Sequence, residues 1–138
     1  MKRGVAVAVL VGACVASAGL AAESREDAAQ AAAESWLKLV DEANYKASWE
    51  QAAKLFKSAV TQAQWEGAAA GARNPLGKLV SRKLKSREYK EQLPGAPDGR
   101  YVVFQYDTVF ANKATAVETV IPMADPDGAW RVSGYFVR

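Results

Sequence analysis

Asp107, Glu118 and Tyr135 are the residues of this chain whose types suit acid–base chemistry. Two adjacent carboxylates cannot both ionise freely, so one is pushed toward holding a proton beside the phenol. The matching reaction class is proton abstraction and return, as in an isomerase or dehydratase. Other chemistries fall away on composition. The chain has no His and a single Cys, Cys14. Imidazole catalysis, Ser-His or Cys nucleophiles, and Cys/His metal or haem ligation are excluded, and neither a metal nor a cofactor is assigned.

Whether the trio meets depends on strand register. From Val80 onward apolar and polar residues alternate between turn signals. These are Pro94-Gly95-Ala96-Pro97-Asp98-Gly99, Asn112-Lys113 and Asp125-Pro126-Asp127-Gly128. They predict four strands near 80–93, 100–111, 114–124 and 129–138 in an antiparallel meander. With Asn112-Lys113 as a two-residue turn, Thr108 faces Val117, and with the last turn closed, Ala124 faces Ala129. One face then carries Phe104, Tyr106, Thr108, Phe110, Ile121, Trp130, Val132 and Phe136, and is the core. The other carries Asp107, Glu118 and Tyr135 side by side, where water screens them, so no catalytic residue is assigned.

This register has two further consequences. A pocket on the core face offers Trp49, Tyr106, Thr108 and Thr119 to a small apolar ligand, and none of these is a base near neutral pH. The outer face exposes Tyr101, Val103, Val120, Tyr135 and Val137, more apolar area than a monomer usually shows, and predicts a homodimer or a protein partner there. Lys83, Lys85, Arg87 and Lys90 make the first strand basic, which blunts an edge strand against aggregation.

The elements that must carry this sheet precede it. Three Trp-led stripes recur at helical spacing: Trp36-Leu39-Val40-Ala43, Trp49-Ala52-Ala53-Phe56 and Trp65-Ala68-Ala69-Ala72. Ser48 is placed to cap the second helix, and Thr61 with Gln64 forms a capping box for the third. Each Trp reads as a core anchor pinning its helix to the sheet.

Ahead of the helices, Lys2 and Arg3 precede an uncharged run from Gly4 to Ala22 with small residues at its end. This has the form of a cleaved secretory leader over 1–22, leaving 23–138 as one domain in the periplasm or secreted, with no membrane span. An alternative is a lipoprotein anchored through Cys14 in Val11-Gly12-Ala13-Cys14. Without Lys2 and Arg3 the formal charge drops from +3 to +1, so no nucleic-acid footprint is supported.

Several stretches together resemble a bacterial family known as domain of unknown function 4019. They are Ser48-Trp49, Pro75-Leu76-Gly77, Ser81-Arg82, Leu93 to Gly99, Phe110-Ala111-Asn112-Lys113, Glu118-Thr119-Val120 and Trp130-Arg131-Val132. The resemblance implies an exported bacterial protein without an established activity. The element order is also similar to the cone-shaped nuclear-transport-factor-like and cystatin-like layouts, whose members include isomerases, dehydratases and pure binding modules. The expectation is thus an α+β domain, helices packed on a curved four-stranded antiparallel meander, acting as a non-catalytic binding or interaction module. Its alternatives are an acid/base enzyme using Asp107, Glu118 and Tyr135, or a homodimeric assembly protein.

Overall fold

The structure, a computed structural model, describes residues 24–138. The proposed leader and Cys14 lie outside the described residues. Four α-helices and a 3₁₀ turn precede four strands: α1 (Arg25–Asp41), α2 (Tyr45–Glu50), α3 (Lys54–Ala59), α4 (Gln62–Arg73), the 3₁₀ turn (Asn74–Leu76), β1 (Leu79–Lys90), β2 (Tyr101–Phe110), β3 (Lys113–Ala124) and β4 (Trp130–Val137). The sheet is antiparallel in the order β1-β2-β3-β4. The fold class is therefore α+β as expected. Among the described residues no helix is long and apolar enough to cross a membrane.

α1 starts where the Ser24 hydroxyl accepts from the Asp27 amide and buries Ala29, Ala33, Trp36, Leu37 and Val40 against the sheet, a stripe at helical spacing. It ends at Ala43, which holds φ 57° while the Ala43 and Asn44 amides close onto Val40 and Leu39 carbonyls. That is the left-handed helix end usually given to glycine. Asn44, not Ser48, caps the next helix. The second Trp-led stripe breaks into α2 and α3 because the Ala53 amide leaves the helix to donate to Val132 of β4 (2.8 Å). Ser48 is instead fully buried inside α2. Its carbonyl accepts from the Trp36 indole (2.8 Å) and its hydroxyl from the Trp65 indole (2.9 Å). One small residue thus satisfies two large buried aromatics, whose rings lie 5.6 Å apart. The Thr61–Gln64 capping box forms as read from the sequence.

The sheet register differs from the expectation at both turns and at a bulge in each following pair, and Ala124 faces Trp130 rather than Ala129. At the β2–β3 turn, the Asn112 amide donates to Leu76 and the Ala111 amide to Lys78, tying the hairpin tip to the 3₁₀ turn. Gly77, at φ 75°, lets Asn112 approach so closely that a Cβ there would sit 3.0 Å from its Nδ2. The turn therefore falls on Ala111-Asn112, and an irregularity between Thr108 and Phe110 offsets the ladder by one residue, so Thr108 faces Ala116 rather than Val117. In β3, Pro122 has no amide to give the ladder, so a bulge opens and Ser133 becomes the extra residue, its hydroxyl donating to Ile121 O (2.8 Å).

A one-residue slip inverts a strand's faces. Glu118 and Val120 turn inward, both fully buried, and Ile121 turns outward. Beyond the bulge, Tyr135 packs its ring 5.4 Å from Trp36, while Phe136, expected in the core, is 63% exposed. Trp36, Trp65, Phe104, Tyr106, Phe110 and Val132 are buried as read, whereas Trp49 and Trp130 are only half-buried.

Candidate functional site

The inner face of the sheet carries a cluster of ions. Each strand and two helix ends contribute one residue: Arg82 (β1), Thr108 (β2), Glu118 (β3), Tyr135 (β4), Asp41 (end of α1) and Arg73 (end of α4). Arg82 stands at its centre. One edge of its guanidinium grips Glu118 (Nε to Oε1 2.8 Å, Nη2 to Oε2 3.2 Å). Its other edge grips Asp41 (Nη1 to Oδ2 and Nη2 to Oδ1, both 2.8 Å). A planar fork with five donors is the side chain that can hold two carboxylates bidentately at once.

Glu118 is fully buried, and its oxygens are completely occupied. Oε1 accepts from Arg82 and from the Thr108 hydroxyl (2.6 Å), Oε2 from Arg82 and from the Tyr135 hydroxyl (2.5 Å). A carboxylate has about four acceptor positions, so none is left for a substrate proton. Arg73 adds one bond to Asp41 (Nη2 to Oδ1, 2.9 Å) and lies over the Phe110 ring at 4.7 Å, its Nε and Nη1 unpaired and buried. Two guanidiniums and two carboxylates make the cluster neutral, which is what permits charges at this depth.

The electrostatics reinforce those roles. Burial by itself would raise the Asp41 carboxyl, but Arg82, through its hydrogen bonds and charge, and then Arg73 outweigh this and hold it below the ordinary value. Burial, then the Glu118 charge, pushes the Tyr135 phenol well above its ordinary value, so it stays protonated and donates. Burial and Glu34 push Tyr106 up in the same way. Burial would lower Arg82, and its two carboxylate partners more than reverse that.

The sequence-predicted trio is divided. Glu118 and Tyr135 meet, but inside the domain, while Asp107 is exposed on the opposite face beside Lys83 and Val117. The expected ligand set is divided as well. Tyr106 and Thr108 face inward, and Thr108 is spent on Glu118. Thr119 lies on the outer face, paired with Gln105 and Phe136, and Trp49 donates its indole to Val60 O (2.9 Å). Of the expected interface residues, Val103 remains on the outer face. Tyr101 also points outward but is 1% exposed beneath the 91–100 loop, its hydroxyl donating to Pro97 O (2.6 Å). Val120 and Tyr135 belong to the interior, and Val137 pairs with Glu118 on that same side.

A model of the family "Protein of unknown function (DUF4019)" matches residues 32–135. The chain belongs to that family. The match spans all six residues of the ion cluster and the whole sheet but for its last residues. Neither a curated protein nor a solved structure matches the chain. The likeness of this DUF4019 member to cone-shaped folds therefore rests on element order alone.

Sequence reasoning missed Asp41, Arg73 and Arg82. One signal was present: Pro122 inside an otherwise regular strand marks a bulge, and a bulge reverses the parity of every residue beyond it. That bulge brings Tyr135 inward, whereas Glu118 is turned inward by the β2–β3 register shift between Thr108 and Phe110, which no residue type announces.

Proposed function

We propose that the domain is an exported, non-catalytic interaction module whose ion cluster is a scaffold and whose working surface is the outer face of the sheet. The observation that carries this reading is the saturation of Glu118: four donors fill its acceptor positions, and its partners are themselves engaged. A general base needs a free lone pair within reach of substrate, and Glu118 offers none. The outer face, by contrast, leaves Phe136 63% exposed beside an apolar groove of about 250 Å³ between Leu55, Pro94, Ala96, Ile121 and Gly134. Exposed apolar surface of that kind is characteristic of recognition.

Glu118→Gln tests the reading by the sign of a stability change. A scaffold residue loses its ion pair and leaves Arg82 half-satisfied, so the variant is expected to lose about 3 kcal/mol. Catalytic residues are commonly held at a cost to stability, and replacing one with an inert isostere tends to stabilise the fold. A higher melting temperature for Glu118→Gln would overturn the scaffold reading.

A further inference from the structure

We infer that the outer sheet face binds a second copy of this chain, through a two-fold axis that lies in the interface and crosses the strands. The inference rests on the proposed use of that face and adds its partner and geometry. It starts from the row Ser86–Gln105–Thr119–Phe136, which crosses all four strands and whose paired residues hold no charge, the exposed bulge residue Lys85 lying at its β1 end. On one side of this row lies Lys83–Asp107–Val117, continued by Arg138, which exchanges backbone bonds with Val117. On the other side lie Glu88–Val103 and Ile121–Gly134. These two flanking rows are equally far from the central one, two residues away along β2 and along β3.

A face-to-face pair must choose between two in-plane axes. An axis along the strands lays β1 on the partner's β4, setting Lys83 against Arg138, which repel. An axis across the strands, along the central row, reflects one flanking row onto the other. Lys83 then meets the partner's Glu88, twice by symmetry, Val117 meets Ile121 twice, and Phe136 meets its own counterpart. Asp107 then lies over the partner's Val103, and Glu88, paired with Lys90 in its own chain, is shared with the partner's Lys83; of the two axes this one alone matches opposite charges, as an isologous interface requires. Gly134, with no side chain beside Ile121, leaves room for the apolar stem of the partner's Arg138 in the groove beneath the Pro94–Ala96 loop.

The face is small. Four strands about 4.8 Å apart and about seven residues long make roughly 19 Å by 23 Å, at the low end of specific interfaces, where association is weak. The measurement is sedimentation equilibrium of the mature exported protein from about 5 to 500 µM, weak association being expected at this size. The expected result is a monomer–dimer equilibrium. Phe136→Asp, Lys83→Glu and Glu88→Lys should each weaken it at least about tenfold, with far-UV circular dichroism and melting temperature unchanged. Lys83→Glu/Glu88→Lys in one chain should restore dimerisation. Mixing the Lys83→Glu protein with the Glu88→Lys protein should yield heterodimers that neither forms alone. A monomer throughout the range, a dimer indifferent to Phe136→Asp, or the absence of charge-swap rescue would overturn the proposal. A monomeric result would leave the interaction-module reading standing, since that depends on the sign of the Glu118→Gln effect.

Discussion

Replacing Arg82 with Leu removes four hydrogen bonds and the cation that neutralises two buried carboxylates. Asp41 keeps Arg73, but Glu118 keeps only the hydroxyls of Thr108 and Tyr135, and it has no contact with water. Removing one partner of a buried ion pair costs about 3–5 kcal/mol, because the charge left behind is uncompensated. For a domain of this size each kcal/mol moves the midpoint by about 4 °C, so Arg82→Leu should melt roughly 12–20 °C lower. The pH dependence is a second signature. In the native protein Asp41 has a folded-state value depressed below its unfolded one, so its contribution is present above the unfolded value and is lost as pH falls below about 4. Native stability should thus be nearly flat from pH 7 to 5 with respect to Asp41. Urea unfolding at pH 7 and pH 5 measures that slope. Arg82→Leu/Glu118→Leu, which removes the stranded charge, should recover more than half of the loss. A variant within about 4 °C of the native protein, or a double variant that recovers nothing, would refute the argument.

Two further outcomes follow from local geometry. Ser48→Ala removes the acceptor for the buried Trp65 indole and should cost about 1–3 kcal/mol in chemical denaturation, with quenched or shifted Trp fluorescence reporting the same loss. Ala43→Gly should stabilise the domain. The left-handed φ of 57° costs a side-chain-bearing residue about 1–2 kcal/mol, and the greater unfolded freedom of glycine takes back about 0.4–1, leaving a net gain near 0.5–1 kcal/mol in the same assay.

Much of the architecture was legible because it rests on local rules. The Thr61–Gln64 box, the Trp-led stripes and the Gly/Pro-rich turns act within a few residues, so helices, strands and topology could be read in order. The faces of β3 and β4 were not legible from alternation alone. Two turn assignments, each one residue out, supported each other and produced a coherent apolar face. They left Ile121 and Phe136 apparently buried where they are in fact half-buried and exposed. What decided the register was the 3₁₀ turn holding Asn112, a contact distant in sequence, together with the irregularity between Thr108 and Phe110 and Pro122 refusing a ladder bond. The six-residue cluster was hidden for the same reason. Asp41 and Arg82 are 41 residues apart, and Arg82 and Glu118 are 36 apart, so no spacing rule connects them.

The two errors of parity also explain why the acid–base trio was attractive and why it dissolves. On a solvated face, Glu118 beside Asp107 would have been a like-charge pair seeking a proton. Turned inward, Glu118 meets Arg82 instead, and the same carboxylate changes from a candidate base into the anchor of a neutral network. Its burial required a cation, and the strand that supplies it alternates Arg82 inward with Lys83 outward. One strand thus serves both faces. Arg82 fixes the helices to the sheet through Asp41, while Lys83 is left on the outer face with Glu88 one row beyond the central row. The inward half of that division saturates Glu118 with donors, and the outward half supplies the Lys83 and Glu88 pattern on which the proposed dimer rests.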